Sequence, residues 1–467
     1  MALSAHKTGA ALDHGPVPKP GLIYFFGALG GILFGYETGI IAGALSYIHS
    51  TPGFSGSALS TGLIVGGISI GAIIGAVTAG RLSDRIGRRR VILILGMIFI
   101  VGSLACAVVP NDGWLIAGRI FLGLGVGGSS ALVPVYLSEM APAKARGRLA
   151  GLNQLMIVTG LLLGYGVNFL LAQAGDWRLM LASGALPAVL LVAGVPFLPE
   201  SPRWLMTKGR REEAARLLYA TRSPEEAAAD IEAITRVEAQ SSRWELLAKW
   251  VRPAVIVGIG IPILCQATGV NMVTYYAPTI FDSLSLPHEN ALIFTIILGS
   301  IKVVSVAIGL QFIDRVGRKK LLVGGSACMA VCMAWMAVEA SKGDQINPVS
   351  MLVAMSVMFI SYSLTWGPVN WVVLGEIFPL RVRGAAMGMA SMVTWFATLG
   401  ITFGFPLLRE SLGLAGTMQL FVACNILGFL FCLKFVRETK GRSLEQIEQD
   451  LHDRHDAKVS VAAGQRA

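Results

Sequence analysis

The sequence predicts an all-α membrane protein whose twelve transmembrane helices form two six-helix halves joined by a cytoplasmic helical linker. Three observations predict this fold class: an apolar composition, twelve apolar runs of membrane-spanning length and an internal repeat. Of the 467 residues, 54% are hydrophobic and only 14% are charged, which is too apolar for a soluble protein of this length. The 55 glycines also exceed what an ordinary soluble core contains.

Twelve apolar runs are long enough to cross a bilayer, which takes a helix of roughly 20 residues. Charged residues or breaks containing Pro and Gly separate them. Their approximate bounds are 21–48, 57–80, 91–110, 113–138, 149–173, 178–198, 253–281, 290–313, 321–340, 349–375, 384–408 and 414–434. The first run is too long, and its flanks too polar, for a cleaved signal peptide. We therefore expect all twelve to remain as transmembrane helices.

The net charge of +10 is concentrated in particular loops. Basic residues follow spans 2, 4 and 8: Arg81, Arg85, Arg88, Arg89 and Arg90; Lys144, Arg146 and Arg148; and Arg315, Arg318, Lys319 and Lys320. The loops after spans 1, 3 and 7 contain no Lys or Arg. By the positive-inside rule, the even-numbered spans end in the cytoplasm, and both termini lie there. This distribution favours membrane topology over nucleic-acid binding, and we expect no nucleic-acid partner.

Three motifs of the first half recur in the same order in the second. "DRIGRRR" at 84–90 returns as "DRVGRKK" at 314–320. Glu139 precedes Arg146 by seven residues, as Glu376 precedes Arg383, and "PESPRW" from 199 is echoed by "RETKGR" from 437. The offsets are 230, 237 and 238 residues. Such nearly equal offsets indicate a duplicated six-helix unit.

The repeat divides the chain into two six-helix bundles with a polar linker between them. The predicted divisions are a cytoplasmic tail (1–20), an N-terminal bundle (21–198), a linker (199–252), a C-terminal bundle (253–436) and a second cytoplasmic tail (437–467). In the linker, Leu217, Leu218, Ile231 and Ile234 fall at helical spacing, which predicts amphipathic helices on the cytoplasmic face. A disordered linker is the alternative.

The sequence contains no pattern that is typical of an enzyme active site. No nucleophile–base set, metal-binding cluster or phosphate-binding loop is visible. Six cysteines lie within the apolar spans: Cys106, Cys265, Cys328, Cys332, Cys424 and Cys432. Their spacing matches neither a disulfide framework nor a zinc site. We therefore expect no enzymatic activity, no cofactor and no metal.

Five longer motifs occur along the chain in a characteristic order. They are "GRLSDRIGRRR" after span 2, "PESPRWL" after span 6, "QATGVNMVTYYAP" in span 7, "WGPVNWVVLGEIFPLRVRG" from span 10 and "RETKGRS" after span 12. Together they resemble the sugar porter family of the major facilitator superfamily, over nearly the whole chain except its termini. The resemblance implies the major facilitator fold and an alternating-access carrier, in which two halves rock around a central sugar site.

The nearest resemblance is to bacterial proton symporters for galactose, xylose and glucose, so it implies proton-coupled symport of a hexose or pentose. Its implied partners are a small sugar, protons as coupling ion and the lipid bilayer of the cell (inner) membrane, and its implied state is a monomer. Facilitative sugar uniport and transport of a polyol or sugar acid stay open. A transporter-like sugar receptor is a further alternative, but such receptors carry long cytoplasmic extensions and only a short segment follows Lys440.

Charged residues at the cytoplasmic ends of the spans form a candidate gate. Glu139 and Glu376 end spans 4 and 10, where their carboxylates are placed to bridge to arginines in the loops after spans 2 and 8. Such ion pairs between the two bundles would hold the inner face shut. The resemblance implies that seven residues build this latch: Arg81, Arg88, Glu139, Arg146, Arg318, Glu376 and Arg383. The alternative is that these charges only set the topology.

A sugar site needs hydrogen-bonding groups and flat apolar faces. Amides pair with a hydroxyl in either sense, and an indole stacks on the C–H face of a pyranose while donating one hydrogen bond. These properties favour five side chains: Gln154, Gln266, Asn271, Trp371 and Trp395. The resemblance adds Phe34, Tyr275 and Gly367, and Thr394 stands where relatives have a longer amide. Gly269 would let span 7 break, so that Gln266 and Asn271 both face a cavity. Polar groups can instead join helices, and Trp can belong to an interfacial belt.

Lys302 is the most unusual of the candidate substrate-binding residues. It lies twelve residues before Asp314, hence about 18 Å from the cytoplasmic end of span 8 and near mid-membrane. A lysine there costs roughly 2.5–3.5 kcal/mol on insertion scales. Many members of the family have an asparagine at this position. Three roles are open: donating to sugar hydroxyls, pairing with an anionic substrate, or competing for Glu37.

Glu37 and Arg119 form the candidate proton-coupling pair. Glu37 lies about 24 Å from the cytoplasmic start of span 1, and Arg119 about 9 Å from the outer start of span 4. Because the two helices run in opposite directions across a core of about 30 Å, both side chains come out at similar depth. In the family's proton symporters an acid at this position, usually aspartate, is protonated and an arginine is its partner. A permanent ion pair that only braces the bundle is the alternative.

Overall fold

The computed structural model describes residues 20–142, 146–237, 248, 250–284, 287–379, 382–442, 446–451 and 453. Within these residues the regular structure is helical, without a β-strand, which confirms the predicted all-α class. The helices are α1 Pro20–His49, α2 Ala58–Ile86, α3 Arg88–Ala107, α4 Asp112–Met140, α5 Arg146–Leu171, α6 Trp177–Ala182, α7 Ala185–Gly194, α8 Pro202–Thr207, α9 Arg211–Thr221, α10 Pro224–Val237, α11 Arg252–Ala267, α12 Val270–Asp282, α13 His288–Val316, α14 Arg318–Ala340, α15 Pro348–Leu364, α16 Trp366–Ile377 and α17 Arg383–Phe435.

In the described residues, eleven helical stretches are long and apolar enough to cross a membrane. Three of these stretches contain a break, at α6–α7, α11–α12 and α15–α16. The last, α17, has 53 residues and turns at Gly413, whose φ of 69° and ψ of 175° are not helical. Glycine suits this turn because it adopts positive φ without a steric cost. The last two of the twelve predicted spans are therefore two helices that meet at Gly413.

The short helices α8, α9 and α10 connect the two halves in the sequence. They lie at the same end of the molecule as the basic loops after α2 and α13. We call this end the basic face and the other end the opposite face. Ser201 caps α8, and the indole of Trp204 donates to the backbone O of Asp84 in α2 at 3.1 Å. Leu217 and Leu218 of α9 are buried. The helices predicted from the spacing of the linker's apolar residues are therefore present.

Helices of the first half approach one another closely at glycines. A Cβ at Gly35 of α1 would meet the backbone O of Ile157 and, at 2.8 Å, the backbone N of Leu161, both in α5. Gly160 of α5 in turn faces the backbone O of Ile32. The same arrangement recurs between α2 and α4. Small residues at such crossings let helix backbones pack directly on one another in a membrane protein.

The two halves touch at the opposite face and near mid-membrane. Ser46 Oγ of α1 donates to Asp282 Oδ2 of α12 at 2.7 Å. Thr38 Oγ1, also in α1, donates to the hydroxyl of Tyr275 in α12 at 3.3 Å. Helix α2 packs against the first arm of α17. The opposite face is therefore closed along both of these helix pairs.

Candidate functional site

A buried ion pair lies between α1 and α4. The Nη1 of Arg119 donates to Glu37 Oε2 at 3.2 Å, and its Nε donates to the backbone O of Ile64 at 3.2 Å. Ser103 Oγ donates to the other carboxylate oxygen at 3.1 Å. Glu37 is 3% exposed and Arg119 is fully buried. The contact expected from the depths of the two residues is therefore present.

Two further residues lie against Glu37, and neither was predicted from the sequence. Ser103 of α3 binds the carboxylate, and Gly184 lies against it at the break between α6 and α7. A Cβ at Gly184 would meet Glu37 Oε1 and, at 2.8 Å, Ser103 Oγ. Neither residue carries a distinguishing signal in an apolar span, because serine and glycine are common wherever membrane helices touch.

The charges of the pair balance only while its two members stay together. Burial favours the neutral carboxyl group, whereas the adjacent guanidinium favours the carboxylate. Loss of either charge from a buried pair leaves the other uncompensated. Any movement that separates Glu37 from Arg119 therefore favours proton uptake by Glu37. Thr38, the next residue, bonds to Tyr275 and so ties this part of α1 to the other half.

A helix break brings two of the predicted amides together. Gly269, with a φ of 87°, separates α11 from α12, as expected from the sequence. Gln266 lies on one side of the break and Asn271 on the other, and Asn271 Nδ2 donates to Gln266 Oε1 at 2.5 Å. Cys265, beside Gln266, lies 3.4 Å through its Sγ from the hydroxyl of Tyr362. The two amides thus meet, and Cys265 connects α11 to α15 through Tyr362.

A small cavity, of about 10 Å³, lies between α5, α13, α15 and α16. It is lined by Gln154, Lys302, Val306, Leu310, Tyr362, Ser363, Gly367 and Pro368. The structure therefore brings together three of the predicted substrate-binding residues: Gln154, Lys302 and Gly367. Gln266 and Asn271, which were predicted to face a cavity, are not among the described residues that line this one. Tyr362 and Pro368 were not predicted as site residues, because an aromatic ring or a proline in an apolar span is more often a packing residue.

Lys302 reaches its polar partner from within this cavity. It is 8% exposed, and its Nζ donates to Thr274 Oγ1 of α12 at 2.9 Å. The ammonium also lies 4.7 Å from the ring centroid of Phe359, at a distance that gives a cation–π attraction. Glu37 is bound by Arg119 and Ser103, so competition of Lys302 for Glu37 is not the arrangement in this structure.

The predicted aromatic residues lie in other positions. The rings of Phe34 and Trp395 are 5.5 Å apart, and Trp395 Nε1 donates to Ser130 Oγ of α4 at 3.2 Å. The Thr394 hydroxyl donates to the backbone of its own helix. Trp371 is 40% exposed and is not among the described residues that line the small cavity. Phe34 and Trp395 thus form a second cluster, which joins the two halves.

Ion pairs at the basic face lie within each half. Arg88 Nε is 3.1 Å from Glu139 Oε2, and Arg318 Nη2 is 2.9 Å from Glu376 Oε1. The two carboxylates meet arginines of the loops after spans 2 and 8, as predicted, but each within its own half, so the predicted bridge between the bundles is not formed in this structure. The repeat explains the difference: Arg88 begins α3 beside the end of α4, and Arg318 begins α14 beside the end of α16. Each arginine therefore meets the acid of its own half.

Two further glutamates bind the backbone at the same helix starts. Glu200 Oε1 accepts from the N–H of Arg88 at 2.8 Å, and Glu438 Oε1 accepts from the N–H of Arg318 at 2.8 Å. Burial opposes ionisation of Glu438, but the backbone N–H groups that donate to its carboxylate outweigh burial and hold its pKa below the usual value. Both glutamates could have been identified from the sequence, because they occupy the same position in the repeated motifs "PESPRW" and "RETKGR".

The remaining predicted gate residues are placed differently. Arg81 is exposed near the basic end of α2. Arg383 Nη2 donates to the backbone O of Phe378 at 3.2 Å. The side chain of Arg146 lies outside the described residues.

Known proteins resemble this chain over most of its length. A family model described as "Sugar (and other) transporter" matches residues 23–451. A probable metabolite transport protein of Bacillus subtilis, CsbC, is 44% identical over 445 residues, which cover 94% of this chain and 96% of that protein. A D-xylose transporter of Levilactobacillus brevis is 41% identical over 443 residues, which cover 92% and 95%. These relatives are transporters and not enzymes.

Solved structures resemble the fold as well. The xylose transporter XylE from E. coli, in an inward open conformation, matches with a TM-score of 0.81 and 30% identity, over 92% of this chain and 99% of that one. The same transporter, described as a major facilitator superfamily proton:xylose symporter bound to 6-bromo-6-deoxy-D-glucose, matches with a TM-score of 0.77 and 30% identity, over 92% and 98%.

Proposed function

Because this chain belongs to the sugar transporter family of the major facilitator superfamily, we propose that it carries a monosaccharide, a hexose or pentose, together with a proton by alternating access. The chain is a multi-pass membrane transporter with the major facilitator fold. We take the basic face to be cytoplasmic, by the positive-inside rule, in the inner membrane of the cell.

The observation that carries proton coupling is the buried Glu37–Arg119 pair. In this proposal Glu37 takes up a proton when α1 and α4 move apart, and returns it when Arg119 closes on the carboxylate again. Thr38 transmits that movement to Tyr275 of the second half. The description of the relative XylE as a proton:xylose symporter supports this assignment.

The arrangement of contacts supports an inward-facing state in this structure. Interhalf contacts close the opposite face at Ser46 and Asp282, and the charged pairs at the basic face stay within their own halves. The match to an inward open conformation of XylE agrees. In this proposal the Arg88–Glu139 and Arg318–Glu376 pairs hold each half's helix ends rigid while the halves rock.

Sugar uniport is the alternative that the Glu37–Arg119 pair leaves open, because a permanent ion pair would only brace the bundle. Uptake into proteoliposomes, with a panel of labelled hexoses and pentoses, separates the two. Symport predicts that an inward proton gradient drives sugar to a higher concentration inside than outside. Equal final concentrations with and without the gradient would support uniport instead.

The amide of Gln266 is proposed to bind sugar hydroxyls, and Gln266→Ala is expected to weaken binding. A buried partner left without its hydrogen bond costs about 1–3 kcal/mol, so sugar affinity should fall roughly 5- to 150-fold. Equilibrium binding to the purified protein measures this directly. Gln419→Ala is the control, because that amide is exposed on α17; equal loss in both variants, or no loss at Gln266, would remove Gln266 from the site.

Gly184→Ala is expected to uncouple transport by displacing Glu37 from Arg119. The added Cβ would occupy the space of Glu37 Oε1 and Ser103 Oγ, so the carboxylate must move. We expect proton-driven accumulation to fall while the protein remains folded. Gly166→Ala in α5 is the matched control, since a Cβ there meets nothing within 4 Å. Unchanged accumulation in Gly184→Ala would show that the position of this carboxylate does not control coupling.

A further inference from the structure

The cavity between the two halves is lined by a buried lysine, Lys302. Lys302 is 8% exposed, and its Nζ bonds to the Thr274 hydroxyl and faces the ring of Phe359. No carboxylate of the described residues forms an ion pair with it. Arg119, the other buried cation near the centre, is paired with Glu37. A buried charge without a partner of opposite sign is costly, so Lys302 is expected to have another counter-ion during transport.

The ammonium has hydrogen-bonding capacity left for a ligand. Lysine has three N–H donors and no acceptor, and one of the three is used by Thr274. Ser363 Oγ, in the same cavity wall, is buried and has no hydrogen-bond partner among the described residues. The amide of Gln154 lines the wall opposite. The cavity thus combines one cation with neutral groups that suit hydroxyls.

These groups match a carbohydrate that carries one carboxylate. We propose that Lys302 is the counter-ion of a sugar acid, a uronate or an aldonate, whose hydroxyls are bound by the neutral groups of the cavity. A carboxylate supplies the missing charge and accepts two of the ammonium's hydrogen bonds. A phosphorylated sugar is a poorer match, because its phosphate carries close to two charges and Lys302 is the one cation among the described lining residues.

The inference rests on the proposed function and adds a consequence to it. If Glu37 carries one proton for each monoanionic sugar acid, no net charge crosses the membrane. Uptake of the acid should then respond to a pH gradient and not to a membrane potential. Symport of a neutral sugar with a proton moves one charge and responds to both.

The test uses the full-length protein in proteoliposomes with labelled glucuronate, galacturonate and gluconate, beside glucose and xylose. We expect the parent to take up at least one of the acids in preference to either neutral sugar. Lys302→Asn should lower acid uptake about thirtyfold or more, and should lower acid uptake far more than neutral-sugar counterflow. Lys302→Arg keeps the charge and should retain part of the acid uptake. Lys320→Asn is the control, because Lys320 is exposed at the start of α14.

The outcomes separate the inference from the proposed function. Proton-coupled uptake of a neutral sugar with no acid transport leaves the proposed function in place and overturns the role of Lys302. Acid uptake that survives in Lys302→Asn overturns it as well. If the variants do not fold, the parent's own preference between acids and neutral sugars decides. Uptake of none of the five compounds contradicts the proposed function itself.

Discussion

Glu37→Gln is expected to abolish accumulation of substrate against a gradient while leaving counterflow exchange intact. The amide has nearly the shape of the protonated acid but cannot release a proton, so Arg119 can no longer drive deprotonation. Exchange of labelled for unlabelled substrate needs no net proton movement and should continue. The measurement compares net uptake, with and without an imposed pH gradient, to exchange under equal pH on both sides.

Two variants make this result specific to Glu37. Glu37→Asp keeps an ionisable group and should retain part of the accumulation. Glu339→Gln removes another buried carboxylate, which is bound by Lys342 and Ser350 near the opposite face, and it should accumulate substrate as the parent does. Full accumulation by Glu37→Gln would mean that the ion pair only braces the bundle.

Gly35→Ala is expected to cause the largest loss of stability among single methyl additions to α1. Its Cβ would coincide with the backbone of α5 at Ile157 and Leu161, and a helix backbone cannot change rotamer as a side chain does. The two helices must separate along their length, at a cost of about 3 kcal/mol. Thermal unfolding of the detergent-solubilised protein should show a lower midpoint and a reduced folded yield.

The control is again Gly166→Ala, which adds the same methyl group to α5 without a neighbour within 4 Å. We expect its unfolding midpoint to match that of the parent. A Gly35→Ala protein as stable as Gly166→Ala would mean that α1 and α5 do not pack as closely as described.

Hydropathy predicted the membrane-spanning segments well because each must present about 20 apolar residues to lipid. It could not predict how the segments join. The turn at Gly413 lies between two apolar arms, where a continuous kinked helix and two separate helices have the same composition. The close approach at Gly35 was equally hidden, because a high glycine content does not say which glycines face a helix.

Contacts in the candidate site were predictable where they depend only on the depth of two residues in the membrane. Glu37 and Arg119 meet because both lie at the same depth on antiparallel neighbours. The partner of Glu139 could not be predicted from its depth in the membrane, because arginines of both halves lie at the same face. Arg88 is the partner because α3 packs beside α4. Ser103 and Gly184 contact Glu37 because of how their helices are rotated relative to α1. Residue spacing does not predict that rotation.

Proton movement during transport tests the central claim most directly. Proteoliposomes containing the parent protein, with equal pH on both sides and a pH-sensitive dye in the external medium, receive substrate without any imposed gradient. Coupled transport predicts that the medium becomes more alkaline as substrate enters, and that Glu37→Gln gives no such change. Entry of substrate into parent proteoliposomes without any alkalinisation would contradict proton coupling and identify a uniporter.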